Sequence, residues 1–153
     1  MSNTICKFSA RMVRGNSKFL AYTMTTSGTD VNMEPELKGK GRSMLAQAQE
    51  CVNVNNGMAA AFSGSAPVES GEITDAKSAA SELVKSADNL AGVLENMDDS
   101  MLDQKFVLPF GTLTGQNALT ISLNHMPYHT GQMAYIELLD GDPEFRFPPG
   151  FVE

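Results

Sequence analysis

His125 and His129 are the only two histidines in the 153-residue chain, and they lie four positions apart in Asn124-His125-Met126-Pro127-Tyr128-His129-Thr130-Gly131-Gln132. On a helix this spacing stacks the two rings on one face, about 6 Å apart and one turn from each other. Gln132, three residues on, shares that face. Two imidazoles so placed can offer nitrogens to one divalent cation without distorting the helix. The same spacing also suits two histidines that only hydrogen-bond to their surroundings, and spacing alone does not separate the two readings.

Two histidines do not complete a metal site, so a third donor must come from another element. Glu50, in Gln47-Ala48-Gln49-Glu50-Cys51-Val52, is the best candidate, because it sits beside the inward stripe of its helix. A His2Glu set leaves a position open for water or substrate and lowers the pKa of bound water. The alternative for Glu50 is an edge-of-core carboxylate that escapes to solvent. Gln49 and Asn53 are weaker rivals, and Cys51 is a softer donor that also fits simple core packing.

Pro127, between the histidines, removes one backbone hydrogen bond and should bend the helix axis, which would re-aim one ring relative to the other. Gly131 permits close approach of another helix or of a ligand. Tyr128 either packs at an interface or offers its hydroxyl near the site. Asn55, in the apolar phase of its helix, needs a hydrogen-bond partner if buried and could brace these polar groups.

The elements that must position these residues are four helices. In the first, Ile5, Phe8, Met12, Phe19 and Thr23 form the expected inward stripe, with Gly15-Asn16 a weak spot. Val31 to Gly41, containing Pro35 and Gly39, reads as a loop. The second helix starts at Arg42 or Ser43, buries Met44, Leu45, Ala48, Cys51, Val52, Asn55, Ala59 and Phe62, and stops at Ser63-Gly64-Ser65-Ala66-Pro67. The third begins near Ile73 or Thr74. There Thr74-Asp75-Ala76-Lys77 offers an N-cap without a full capping box, and Leu83, Ala87, Leu90 and Leu94 mark the apolar face. Phe106 to Gly111 is an apolar, Pro-broken linker that suits a short extended segment. The fourth helix runs from after Thr112 or Thr114 to about Leu139, and Phe145, Phe147 and Phe151 follow in a Pro-rich tail that must dock to hide its rings.

An all-α four-helix bundle over residues 1–153, in one domain, is the economical architecture. A simple up-down meander is one order for it, and the long connections leave a crossover open.

Hydrophobic content of 42% and charged content of 19% are ordinary for a folded globular chain. A net charge of −7 with no basic run makes nucleic acid a poor partner. No apolar run approaches the 18 or so residues that span a bilayer, which argues against a membrane. The N-terminus lacks a signal pattern, and Cys6 and Cys51 read as two free thiols, so a cytoplasmic location is expected. No phosphate loop, Cys-x-x-Cys, nucleophile elbow or zinc-protease motif is present.

With these residues in hand, the chain resembles the DinB-like (DinB/YfiT) superfamily. The resemblance rests on His125-Met126-Pro127-Tyr128-His129-Thr130-Gly131-Gln132, the preceding Phe110-Gly111-Thr112-Leu113-Thr114, the following Tyr135-Ile136-Glu137-Leu138-Leu139, and the order of the earlier helices. It implies a four-helix bundle of unusual helix order, a homodimer, and a divalent metal on three histidines, commonly nickel or zinc, with manganese or iron as further candidates. His125 and His129 match two of those ligands. Where the family has its third histidine, on the second helix, this chain has Glu50.

The resemblance also implies a metal-dependent hydrolase or a thiol S-transferase acting on a small molecule or low-molecular-weight thiol. A non-enzymatic binding or stress-response protein with a vestigial site is the alternative.

Overall fold

The computed structural model describes residues 2–36 and 41–151. Four helices make the bundle: α1 (Thr4–Thr26), α2 (Met44–Ser63), α3 (Ala76–Glu95) and α4 (Gly115–Leu139). A 3₁₀ turn (Asp99–Asp103) and a hairpin of β1 (Lys105–Leu108) and β2 (Gly111–Thr114) join α3 to α4. In the Val31–Gly41 loop, Gly39 falls outside the described residues.

The helix starts follow local chemistry. Ser43 caps α2 by accepting the Ala46 N–H, Thr114 caps α4 through the Asn117 N–H, and Gly64 ends α2 in the left-handed region at φ 70°. At α3 the expectation of an incomplete capping box is corrected. Asp75 accepts from the Ser78 N–H while the Ser78 hydroxyl oxygen accepts from the Asp75 N–H. Serine at the third helical position does the job usually assigned to Glu or Gln.

The expected stripe of α1 is corrected as well. Ile5, Phe8 and Met12 are exposed and Phe19 is partly buried, so of the expected stripe only Thr23 is buried, and it shares the inward face with Cys6, Ser9, Ala10, Val13, Ser17, Leu20 and Met24. α1 carries two apolar faces, and the one with smaller residues near its start goes inside. It packs most extensively on α3, whose face is also rich in alanine (Ala79, Ala87, Ala91), and small side chains let two helix axes approach closely.

The linker before α4 is a hairpin, with Leu108 pairing with Gly111 across Pro109 and Phe110. Its alternation buries Phe106 and Leu108, and the Phe106 ring meets Phe62 edge-on at 5.0 Å. Gly115 then begins α4 hard against the Met101 carbonyl, where a Cβ has no room.

α1 packs on α3 and α4, and α2 packs on α3 and α4, while α1/α2 and α3/α4 make no comparable contact. The diagonal pairs are therefore α1/α2 and α3/α4, while α2 and α3 stay neighbours, which is the crossover order and not the meander. Its consequence is local: α2 and α4, far apart in sequence, become neighbours. Among the described residues no helix is long and apolar enough to cross a membrane.

Candidate metal centre

α2 and α4 meet at the two histidines. Their ring centroids are 4.7 Å apart at 66°. The His129 side chain is 1% exposed and that of His125 is 18% exposed. Glu50 Oε1 lies 3.6 Å from His125 Nε2 and 3.8 Å from His129 Nε2, too far for good hydrogen bonds. Two nitrogen or oxygen ligands of one tetrahedral zinc stand about 3.4 Å apart, so these spacings are close to what a shared cation requires. Cys51 Sγ belongs to the same place: one donor atom from each of Cys51, His125 and His129 falls within 4.8 Å of the others.

A chain of hydrogen bonds sets the state of His129. The Gln47 amide nitrogen donates to the Arg42 carbonyl at 3.1 Å, which turns Gln47 Oε1 toward His129 Nδ1 at 3.0 Å. A carbonyl oxygen only accepts, so Nδ1 carries the proton and Nε2 holds a free lone pair. That Nε2 is buried with no hydrogen-bond partner. Burial also holds the His129 pKa down to about 4, with His125 and Arg42 adding to the effect. His125 is lowered by burial first and by Arg42 second, and its Nδ1 is likewise buried without a partner. Burial thus favours the neutral form of both rings, the form that binds metal.

Glu50 divides its two oxygens. Oε2 pairs with the Arg42 guanidinium, and Oε1 faces the histidines. Burial pushes the Cys51 thiol up to about 12, against the opposing pull of Arg42, so it keeps its proton unless a cation displaces it. The sequence favoured core packing for Cys51. It is wholly buried, and its sulfur is also grouped with the histidine nitrogens. Gln49 and Asn53 bond to each other at 3.1 Å on the surface. Asn55, 1% exposed, donates to Ser86 Oγ at 3.2 Å and lies 3.7 Å from the sulfur of Met126, the residue after His125.

Pro127 leaves its mark on its own helix. The Leu123 carbonyl, which an N–H at position 127 would have bonded, accepts from Asn16 Nδ2 of α1 at 3.0 Å. The weak spot of α1 thus braces the histidine helix.

Sequence reasoning missed Gln47 and Arg42. Gln47 had a signal: it falls three residues after Met44 and four before Cys51, on the inward face, where a polar side chain needs partners. Arg42 had none, because it reaches the site from outside the helix. Both line a cavity of about 410 Å³, with Tyr128, Gln132, Tyr135 and Ile136 on the α4 side. Tyr128, 61% exposed, stands edge-on to the His129 ring at 5.2 Å.

Fold and site together define a class: a crossover four-helix bundle that gathers two histidines and a thiol able to hold a metal ion. The fold is that of a DinB-like protein, YjoA from Bacillus subtilis. The similarity to its crystal structure covers 94% of this chain and 96% of that chain, with a TM-score of 0.67 and 17% sequence identity. No family model matches the chain, and no curated protein matches it in sequence.

Proposed function

We propose that this protein is a metal-dependent enzyme that works on a small molecule beside the α2–α4 centre, by hydrolytic or thiol-transfer chemistry. The observation that carries the reading is His129 Nε2, a buried lone pair without a partner, facing donors spaced for one cation. His125, His129 and a donor from α2, Glu50 or Cys51, would hold zinc or nickel. A divalent cation there supplies Lewis acidity, which lowers the pKa of a water or a thiol. The chain's own residues do the positioning: Gln47 fixes the His129 tautomer, and Arg42 turns Glu50 toward the pair. Tyr128, Tyr135 and Gln132 give the adjoining cavity apolar walls and polar tips suited to a small substrate.

Protein purified without a His tag, stripped and titrated with zinc, nickel, manganese and cobalt tests this. One equivalent should bind in wild type and none in H129A. Failure of all four metals to bind overturns the reading. Cobalt spectra of C51S and E50Q identify the α2 donor, since only a thiolate ligand gives sulfur-to-metal charge transfer.

A second reading, a non-enzymatic protein with a structural metal, is favoured by the presence of both a thiol and a carboxylate beside the histidines. Four protein ligands would close the coordination. A small thiol that perturbs the cobalt spectrum shows an open position and excludes this reading. A homodimer belongs to the same proposal, with Ile5 and Phe8 as exposed apolar residues near the start of α1. A strictly monomeric protein across a concentration series overturns the dimer.

A further inference from the structure

A second concavity lies away from the α2 donors, between α1, α4 and the C-terminal tail, with a volume of about 480 Å³. Its walls are apolar: Met12 and Phe19 from α1, Pro127 from α4, and Phe145 and Phe151 from the tail. The tail rings are built into a cluster and not left loose. Phe19 meets Phe145, Phe147 and Phe151 at 5.9, 6.1 and 5.2 Å. Arg146 anchors that segment through Asp142 and Glu144, at 2.8 and 3.0 Å.

The polar groups on the lining sort into spent and unspent. Asn16 gives its amide to the Leu123 carbonyl, and the Thr130 hydroxyl gives its proton to the Met126 carbonyl. Arg11 has no ion pair among the described residues, whereas Arg14, three positions on, is paired with Asp88 and Glu95. α1 carries Lys7, Arg11, Arg14 and Lys18 and no acidic residue, in a chain of net charge −7. With Arg14 paired, Lys7, Arg11 and Lys18 are the cations of α1 without an ion pair among the described residues.

We propose that this groove is a binding site for a small amphipathic organic anion, with its apolar body between Phe19, Phe145 and Pro127 and its carboxylate or sulfonate on Arg11. The volume is in the range of small-molecule sites, and one cation at the rim of an apolar cleft fits one anionic head. None of Glu50, Cys51, His125 and His129 lines the groove, although Gly131 lines both this groove and the cavity beside the histidines.

Fluorescence titration with anilinonaphthalene sulfonate tests it, using decanoate and decanol as competitors of equal chain length. One dye should bind per chain, and decanoate should displace it about three- to fivefold better than decanol, the effect of one exposed ion pair. Gly15→Phe should abolish binding, since a side chain there grows into open space on the groove wall without clashing. Arg11→Gln should bring decanoate down to the level of decanol. Both variants should keep the metal titration of wild type, and neither should lower its melting temperature. Dye binding that survives Gly15→Phe, or equal competition by decanoate and decanol in wild type, overturns the proposal. So does dye binding that disappears as the chain dimerises, because a second copy would then be the occupant.

Discussion

Gln47 illustrates how a single uncharged side chain can decide the chemistry of a neighbour. Histidine presents a lone pair on one nitrogen only when the other holds its proton, and Gln47 Oε1 enforces that choice at His129 Nδ1. Gln47→Leu should therefore keep the fold yet weaken metal affinity about 10- to 100-fold, the usual cost of losing such a partner. Cobalt or zinc titration alongside a thermal melt checks this. Unchanged affinity would show that His129 selects its tautomer without help. Glu50 and Cys51 pose a different residue-scale question, since consecutive helix positions diverge by about 100° and yet both approach the histidine pair.

At the scale of the element, two helices are completed by groups from elsewhere in the chain. Asn3 at the start of α1 makes no side-chain cap, and Asp99 of the 3₁₀ turn serves instead, accepting from the Cys6 N–H at 3.0 Å and the Ser2 hydroxyl at 2.7 Å. Desolvation opposes the Asp99 charge, but these hydrogen bonds outweigh it and hold the pKa at about 2, below the ordinary value of 3.8. A depressed carboxylate stabilises the fold above its unfolded pKa and loses that contribution as pH falls through the folded one. Asp99→Ala should thus be destabilised at pH 7, and its deficit against wild type should narrow between about pH 4 and pH 2. Denaturant midpoints across that range are the measurement.

α4 is completed by Asn16, which occupies the carbonyl freed by Pro127. Asn16→Ala should cost about 1 kcal/mol in wild type and close to nothing in a Pro127→Ala background, where residue 127 regains its N–H. A double-mutant cycle reads the difference. Equal costs in both backgrounds would detach Asn16 from the proline.

For the whole molecule, the tail is the feature most dependent on tertiary contact. Phe145, Phe147 and Phe151 remain about half exposed or more, and Phe19 is the ring that gathers all three. Phe19→Ala should destabilise the fold by about 1–2 kcal/mol, less than a fully buried phenylalanine, and should release the tail. Limited trypsin digestion reports this directly, as faster cleavage after Arg146. A tail equally resistant in the variant would mean that the Arg146 ion pairs suffice.

Much of this architecture was legible from periodicity. Helix spans and the inward face of α2 follow from local rules, and the four-residue spacing of His125 and His129 fixes them on one helix face whatever surrounds it. The α1 face was not legible, because that helix has two apolar stripes and the choice between them belongs to α3. The hairpin was hidden because four apolar residues around a proline (Phe106, Val107, Leu108 and Phe110) carry too short a pattern to show pairing. Gln47 was visible as a polar residue on an apolar face, though its partner lay 82 positions away.

The sequence by itself determined which residues could ligate a metal and on which helices they stand. Tertiary structure alone decided that α2 and α4 are neighbours, that Cys51 and Glu50 both approach the histidine pair, and that Arg42 and Gln47 orient it. The physical reason is that helical spacing is set by backbone hydrogen bonds within a segment. The crossover depends on which faces can approach one another, and that is settled only when all four helices pack together.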